Sequence, residues 1–161
     1  MADTAITISK TRVTPLTANE RENGYNMKFK VKYSDIACGT GATDTVTLTL
    51  GTTPTRWVIT RGLAIVTSSF VGTGTQTFAV TVGTTSPSDV DSILPSASVL
   101  TAGVIQATTG PNTCAAPANC TGVATSTIKA IFTNAAAGSP SALTAGEMDI
   151  YLNVLDADKL G

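Results

Sequence analysis

Two pairs of aspartates lie two residues apart, Asp89 and Asp91 around Val90, and Asp156 and Asp158 around Ala157. Alternate carboxylates in a loop with further oxygen donors are the start of a calcium site. Two facing carboxylates in a cleft are also what glycoside hydrolysis needs, usually with aromatic side chains as sugar platforms. One Trp, three Tyr and four Phe, most of them required for a core, leave little for such platforms. Both pairs have simpler readings, Asp89 as a first-turn acid on a short helix and Asp156/Asp158 as a solvated tail. Histidine is absent altogether, which removes Ser-His-Asp and Cys-His catalysis and every zinc site that needs imidazole. The sequence has no dinucleotide-binding glycine fingerprint after a strand, no phosphate-cradling lysine loop and no nucleophile elbow. These residues point to a protein that is not an enzyme and uses no metal or cofactor.

Cys114 and Cys120 fall in one Pro/Asn/Thr-rich stretch, far from Cys38. That spacing permits one local disulfide, Cys114 to Cys120, stapling a loop, or two unrelated thiols; a redox pair prefers a two-residue spacing beside a helix start. The sequon Asn119-Cys120-Thr121 matters only in a eukaryotic secretory pathway. Met1-Ala2-Asp3-Thr4 lacks the basic and apolar regions of a secretory signal, and no stretch approaches the roughly 18 apolar residues that cross a bilayer. The expectation is a soluble chain with no membrane partner. Charged residues are 13% of the chain and the net charge is −1, so a nucleic-acid partner held by a basic face is not expected either. The basic residues that exist cluster early: Lys10, Arg12, Arg21, Lys28, Lys30, Lys32, Arg56 and Arg61, with only Lys129 and Lys159 beyond. Lys10, Arg12 and the row Lys28, Lys30, Lys32 are therefore the candidate contacts for an acidic partner surface. The row has a plainer reading as charges that keep a sheet face soluble and discourage edge pairing.

What must position these residues is β-structure. The chain is 161 residues long and 42% apolar, enough for one domain with a hydrophobic core. Threonine is roughly a fifth of the chain and suits the open face of a pleated sheet. Met27–Tyr33 alternates apolar residues with three lysines; Thr45–Leu50 and Thr77–Val82 alternate with threonine outside, and end at Gly51 and Gly83. Arg56–Thr60 and Gly62–Thr67 are apolar on both faces, as strands are when central or covered by a neighbouring subunit, and Trp57 reads as a core residue. Further strands are predicted at 98–100, 104–106, 127–132 and 148–155. Ser86 as N-cap, Pro87 at the first helical position and acidic residues after it predict one short helix to Leu94, stopped by Pro95. Leu100-Thr101-Ala102-Gly103 and Leu143-Thr144-Ala145-Gly146 are identical tetrapeptides that read as similar turns opening onto strands. About eight short strands with Gly/Pro/Asn turns predict an all-β fold, an antiparallel two-sheet sandwich of jelly-roll type with one short helical insert. Residues 1–24, broken by Pro15, Asn19 and Gly24, read as an N-terminal arm or first strand, and 25–161 as the β-sandwich domain.

The order of the early lysine/aromatic strand, Val80-Thr81-Val82-Gly83-Thr84, the insert Asp89–Leu94 and the closing run Leu143–Leu152 resembles small virion proteins of tailed bacteriophages, in particular jelly-roll head decoration (cement) proteins. The resemblance implies a homo-oligomer, typically a trimer, that binds the major capsid protein on the outside of a head and clamps it, localised to the virion with no active site. Low charge and small side chains also suit a surface buried in obligate contacts. The competing expectation is a receptor- or glycan-binding module of a fibre or tail, with the loop of Cys114 and Cys120 as its contact.

Overall fold

A computed structural model describes residues 6–9, 15–36, 45–53, 57–73, 77–85, 88–106, 126–134 and 142–156. Lys10, Arg12, Cys38, Cys114, Cys120 and Asp158 lie outside them, as do the side chains of Trp57, Asp89, Asp91 and Asp156.

The period-two segments become strands, and their inward rows make the core. In β2 (Met27–Lys32) Phe29 and Val31 point inward; in β3 (Thr45–Thr53) Val46, Leu48 and Leu50 do so. β5 (Phe78–Thr85) buries Phe78, Val80 and Val82, and β8 (Ser126–Asn134) buries Ile128, Ala130 and Phe132. The two doubly apolar segments are one long strand, β4 (Trp57–Gly72), which breaks register with its neighbour around Thr60. β9 (Leu143–Asp156) runs beside it and buries Met148, Ile150, Leu152 and Val154. Phe70 of β4 meets Phe78 and Phe132 of the facing sheet with ring centroids 6.0 Å away, and those two rings lie 5.8 Å apart, a cluster that joins the two layers.

With β1 (Ile6–Ser9), β6 (Ser88–Ser98) and β7 (Gly103–Gln106), the sheets run β1-β3-β8-β5-β6 and β2-β9-β4-β7. Without β1, the orders 3-8-5-6 and 2-9-4-7 are those of a jelly roll, eight strands in two four-stranded antiparallel sheets. β1 adds a parallel edge pairing, Ile6 to Ser9 against Val46 to Thr49.

The helix predicted from Ser86 to Leu94 is not formed. Residues 88–98 are strand β6, which pairs Ser88 with Thr85 and Asp89 with Thr84, while Ser86 and Pro87 lie outside the described residues. Proline and serine carry turn signals as well as cap signals, and burial of Ile93 and Leu94 in the core decides between them. Pro95 is tolerated because β6 is an edge strand and its register shifts there, between the pairs Val80/Ala97 and Val82/Leu94. Short helices form elsewhere, α1 at Ala18–Glu22 and α2 at Tyr33–Ile36.

The matching tetrapeptides also part company. Gly103 opens β7 at φ +152° with open space where a Cβ would stand; Gly146, at φ +139°, is inside β9 and packed under Phe70.

Candidate functional site

The outer face of the β2-β9-β4-β7 sheet gathers most of the described charge. Cross-strand register places Lys28 opposite Tyr151, Lys30 opposite Asp149 and Lys32 opposite Glu147. Residues directly opposite share a face and lie close enough to pair. Lys28 Nζ is 2.9 Å from Glu20 Oε1 and 3.1 Å from Asp149 Oδ2; Lys30 Nζ is 2.5 Å from Glu147 Oε1 and 3.7 Å from Asp149 Oδ1; Lys32 is 3.9 Å from Glu147 Oε2. The lysine row is thus not a stripe of three charges in water. Side-chain exposure climbs from 12% at Lys28 through 35% at Lys30 to 55% at Lys32, so one end of the row is inside a network and the other at its rim.

Glu20 reaches this network from α1. Thr17-Ala18-Asn19-Glu20 is a capping box: Thr17 N–H donates to Glu20 Oε2 at 2.7 Å, and Glu20 N–H donates to Thr17 Oγ1 at 3.4 Å. The other carboxylate oxygen, Oε1, accepts from Lys28 and from the Tyr151 hydroxyl at 2.8 Å. Lys28 also lies 5.1 Å over the Tyr151 ring. Past the helix the chain turns through Gly24 at φ +82° to Tyr25, which packs on Tyr151 and carries the Arg61 guanidinium 5.0 Å over its ring. Arg61 donates to Asn23 O at 3.2 Å. Asn26 then starts the β2–β9 ladder, its amide donating to Val154 O and accepting from Val154 N–H.

The electrostatics follow from these contacts. Hydrogen bonds from Lys28 and from the Thr17 backbone hold the Glu20 carboxyl down at about 2. Burial works against the charge on Lys28, but hydrogen bonds with Glu20, Tyr151 and Asp149 outweigh it and the ammonium is held above its ordinary range. The bond from Lys30 lowers Glu147, and Glu147 raises Lys30 in return. Burial, together with the hydrogen bond it donates to Glu20, pushes the Tyr151 phenol up to about 12.

A group whose folded value lies below its unfolded one stabilises the fold above the unfolded value. Glu20 therefore contributes fully above about pH 4.5 and loses that contribution as the pH falls through about 2. Acidifying the full chain is expected to lower the protection factors of amides in residues 18–24, relative to their intrinsic rates at each pH, before the β9 amides lose protection. Equal loss of protection in α1 and β9 at one pH would show that Glu20 does not hold the segment separately.

Beside the network the same face is apolar. Leu63 and Ile65 of β4 lie opposite Tyr151 and Asp149, and Ile65 pairs with Val104 of β7. Leu63 and Ile65 are half-buried and Val104 is 61% exposed. Glu20, Asn23, Tyr25, Arg61, Leu63, Ile65 and Tyr151 line an open pocket of about 270 Å³ between α1 and this strip. The structure thus joins Lys28, Lys30 and Lys32 to residues not foreseen as their partners: Glu20, Glu147, Asp149 and Tyr151. Thr17-x-x-Glu20 was the available signal for the first of these. Comparison with known protein families, curated proteins and solved structures finds no match to this chain.

Proposed function

We propose that this chain is a non-enzymatic structural protein that closes into a homo-oligomer, a trimer, and decorates a phage head by binding the major capsid protein. The observation that carries the reading is the strip Leu63, Ile65 and Val104, apolar side chains on the outer face of a sheet in a chain only 13% charged. Such a strip is stabilised when a neighbour removes it from water, at about 25 cal/mol per Å². The fold supports the reading, since jelly rolls recur in viral capsids, though they also serve lectins and so do not decide function alone. The chemistry of the face supports it too. Glu20 and Glu147 are bound to lysines and held in the charged form, which suits electrostatic anchoring and not proton donation near neutral pH.

Light scattering on a size-exclusion column is expected to give a concentration-independent mass of three 16.3 kDa chains. Val104→Glu places a charge on an already exposed position, so it should leave the fold intact and shift the protein to monomer. A wild-type protein that stays monomeric at all concentrations, and does not bind capsid lattice, would instead favour receptor or glycan recognition.

A further inference from the structure

The segment Pro15–Gly24 is a strap laid across the outer sheet face, and it is held there almost entirely by polar contacts. No residue of α1 is buried. The anchors are Glu20 on Lys28 and Tyr151, and Asn23 O on Arg61. Open hollows border the strap, one of about 270 Å³ toward Leu63 and Ile65 and one of about 590 Å³ where Pro15, Leu16 and Arg21 face Asn26 and Asn153. At the strap's end Gly24 holds φ +82°, a conformation that glycine adopts at least cost, and immediately beyond it Tyr25 is buried and Asn26 is tied to β9. Toward β2 the boundary between lightly held and firmly held chain is therefore one residue wide and sits on a glycine, while on its other side the strap leads back to β1, paired with β3.

We infer that this strap is exchanged between copies: Glu20 of one protomer seats on Lys28 and Tyr151 of its neighbour, with Gly24 as the hinge. The inference rests on the reading of the chain as a self-associating protein and names the surface involved. The seat is complementary in charge and shape to this strap, and every copy carries the same strap, so the contacts made in exchange are those already made within one chain. Exchange adds one thing the closed chain lacks. It brings the neighbour's body against Leu63, Ile65 and Val104, which border the seat and are left part-exposed in the single chain. A head-to-tail exchange also closes into a ring with any number of members, three included, because each protomer gives one strap and receives one.

Carbodiimide chemistry tests this on the full chain, since it joins a carboxylate to an amine in direct contact and Glu20 lies 2.9 Å from Lys28. Light and ¹⁵N-labelled protein are mixed in denaturant, refolded together and cross-linked. Trypsin cleaves after Arg21, so Glu20 and Lys28 reside on separate peptides whose isotopes report their parent chains. Exchange predicts that roughly half of the Glu20–Lys28 cross-links join a light peptide to a heavy one, as random neighbours in a ring require. Cross-links that are all light-light or heavy-heavy in a protein that light scattering shows to be oligomeric overturn the exchange and leave self-association standing. A monomer with only isotopically pure cross-links overturns both.

Discussion

Gly146→Ala is expected to cost roughly 3–5 kcal/mol and to lower the melting temperature by about 10 °C or more. Two penalties combine at this position. The backbone sits at φ +139°, where a Cβ is strained whatever the surrounding space. That Cβ would also stand 2.5 Å from Phe70 Cγ and 2.8 Å from Phe70 Cα. Phe70 has no room to withdraw, because its ring is fully buried against Phe78 and Phe132 where the two sheets meet. Gly103→Ala is the matched control. It closes an identical tetrapeptide and has φ +152°, but nothing lies within 4 Å of the added methyl, so only the backbone penalty of about 1 kcal/mol remains. Urea denaturation of both variants measures the difference. Equal losses would show that backbone strain alone governs these glycines and that contact with Phe70 is irrelevant.

That contrast shows where the sequence was legible and where it was not. Alternation in Met27–Lys32, Thr45–Leu50 and Phe78–Val82 was enough to place three strands with the correct face inward, because a half-buried strand writes its burial directly into period two. The jelly-roll class followed from the number of such strands and their turns. Residues 88–94 and 143–146 depart from the sequence reading for one reason: cap and turn residues are local signals, and strand pairing overrides them, with β5 for residues 88–94 and with β4 for residues 143–146. The parallel pairing of β1 with β3 has no local signal at all.

The candidate site shows the same division. A lysine at every second position announces a charged sheet face, but whether that face is bare or neutralised depends on what lies opposite. Lys30 meets Glu147 across 117 positions and Tyr151 meets Glu20 across 131. Both acids are visible in the sequence; their register is not, since a shift of one residue would turn Glu147 and Asp149 into the core. The capping box at Thr17 and Glu20 was the one local clue that a carboxylate would be fixed in space near the start of β2.

Because the row is graded in burial, its three lysines should differ in weight, and Lys28→Met is expected to cost roughly 2–4 kcal/mol. Methionine keeps an apolar stem over Tyr151 but removes the charge shared by Glu20 and Asp149. Asp149 is then the liability. Its side chain is 7% exposed, and its Oδ1 already has no hydrogen-bond partner among the described residues, with Lys30 Nζ standing off at 3.7 Å. A carboxylate left buried in that position without its nearest cation destabilises the fold. Lys32→Met, at 55% exposure and 3.9 Å from Glu147, is a surface change and should cost no more than about 1 kcal/mol. Adding Asp149→Asn to Lys28→Met should restore at least about 1 kcal/mol, because the neutral amide no longer needs the ammonium. Chemical denaturation of the single and double variants completes the cycle. If Lys32→Met is as damaging as Lys28→Met, or if Asp149→Asn gives no recovery, the outer face is a row of independent surface charges, and the seat on which Glu20 anchors the strap loses its physical basis.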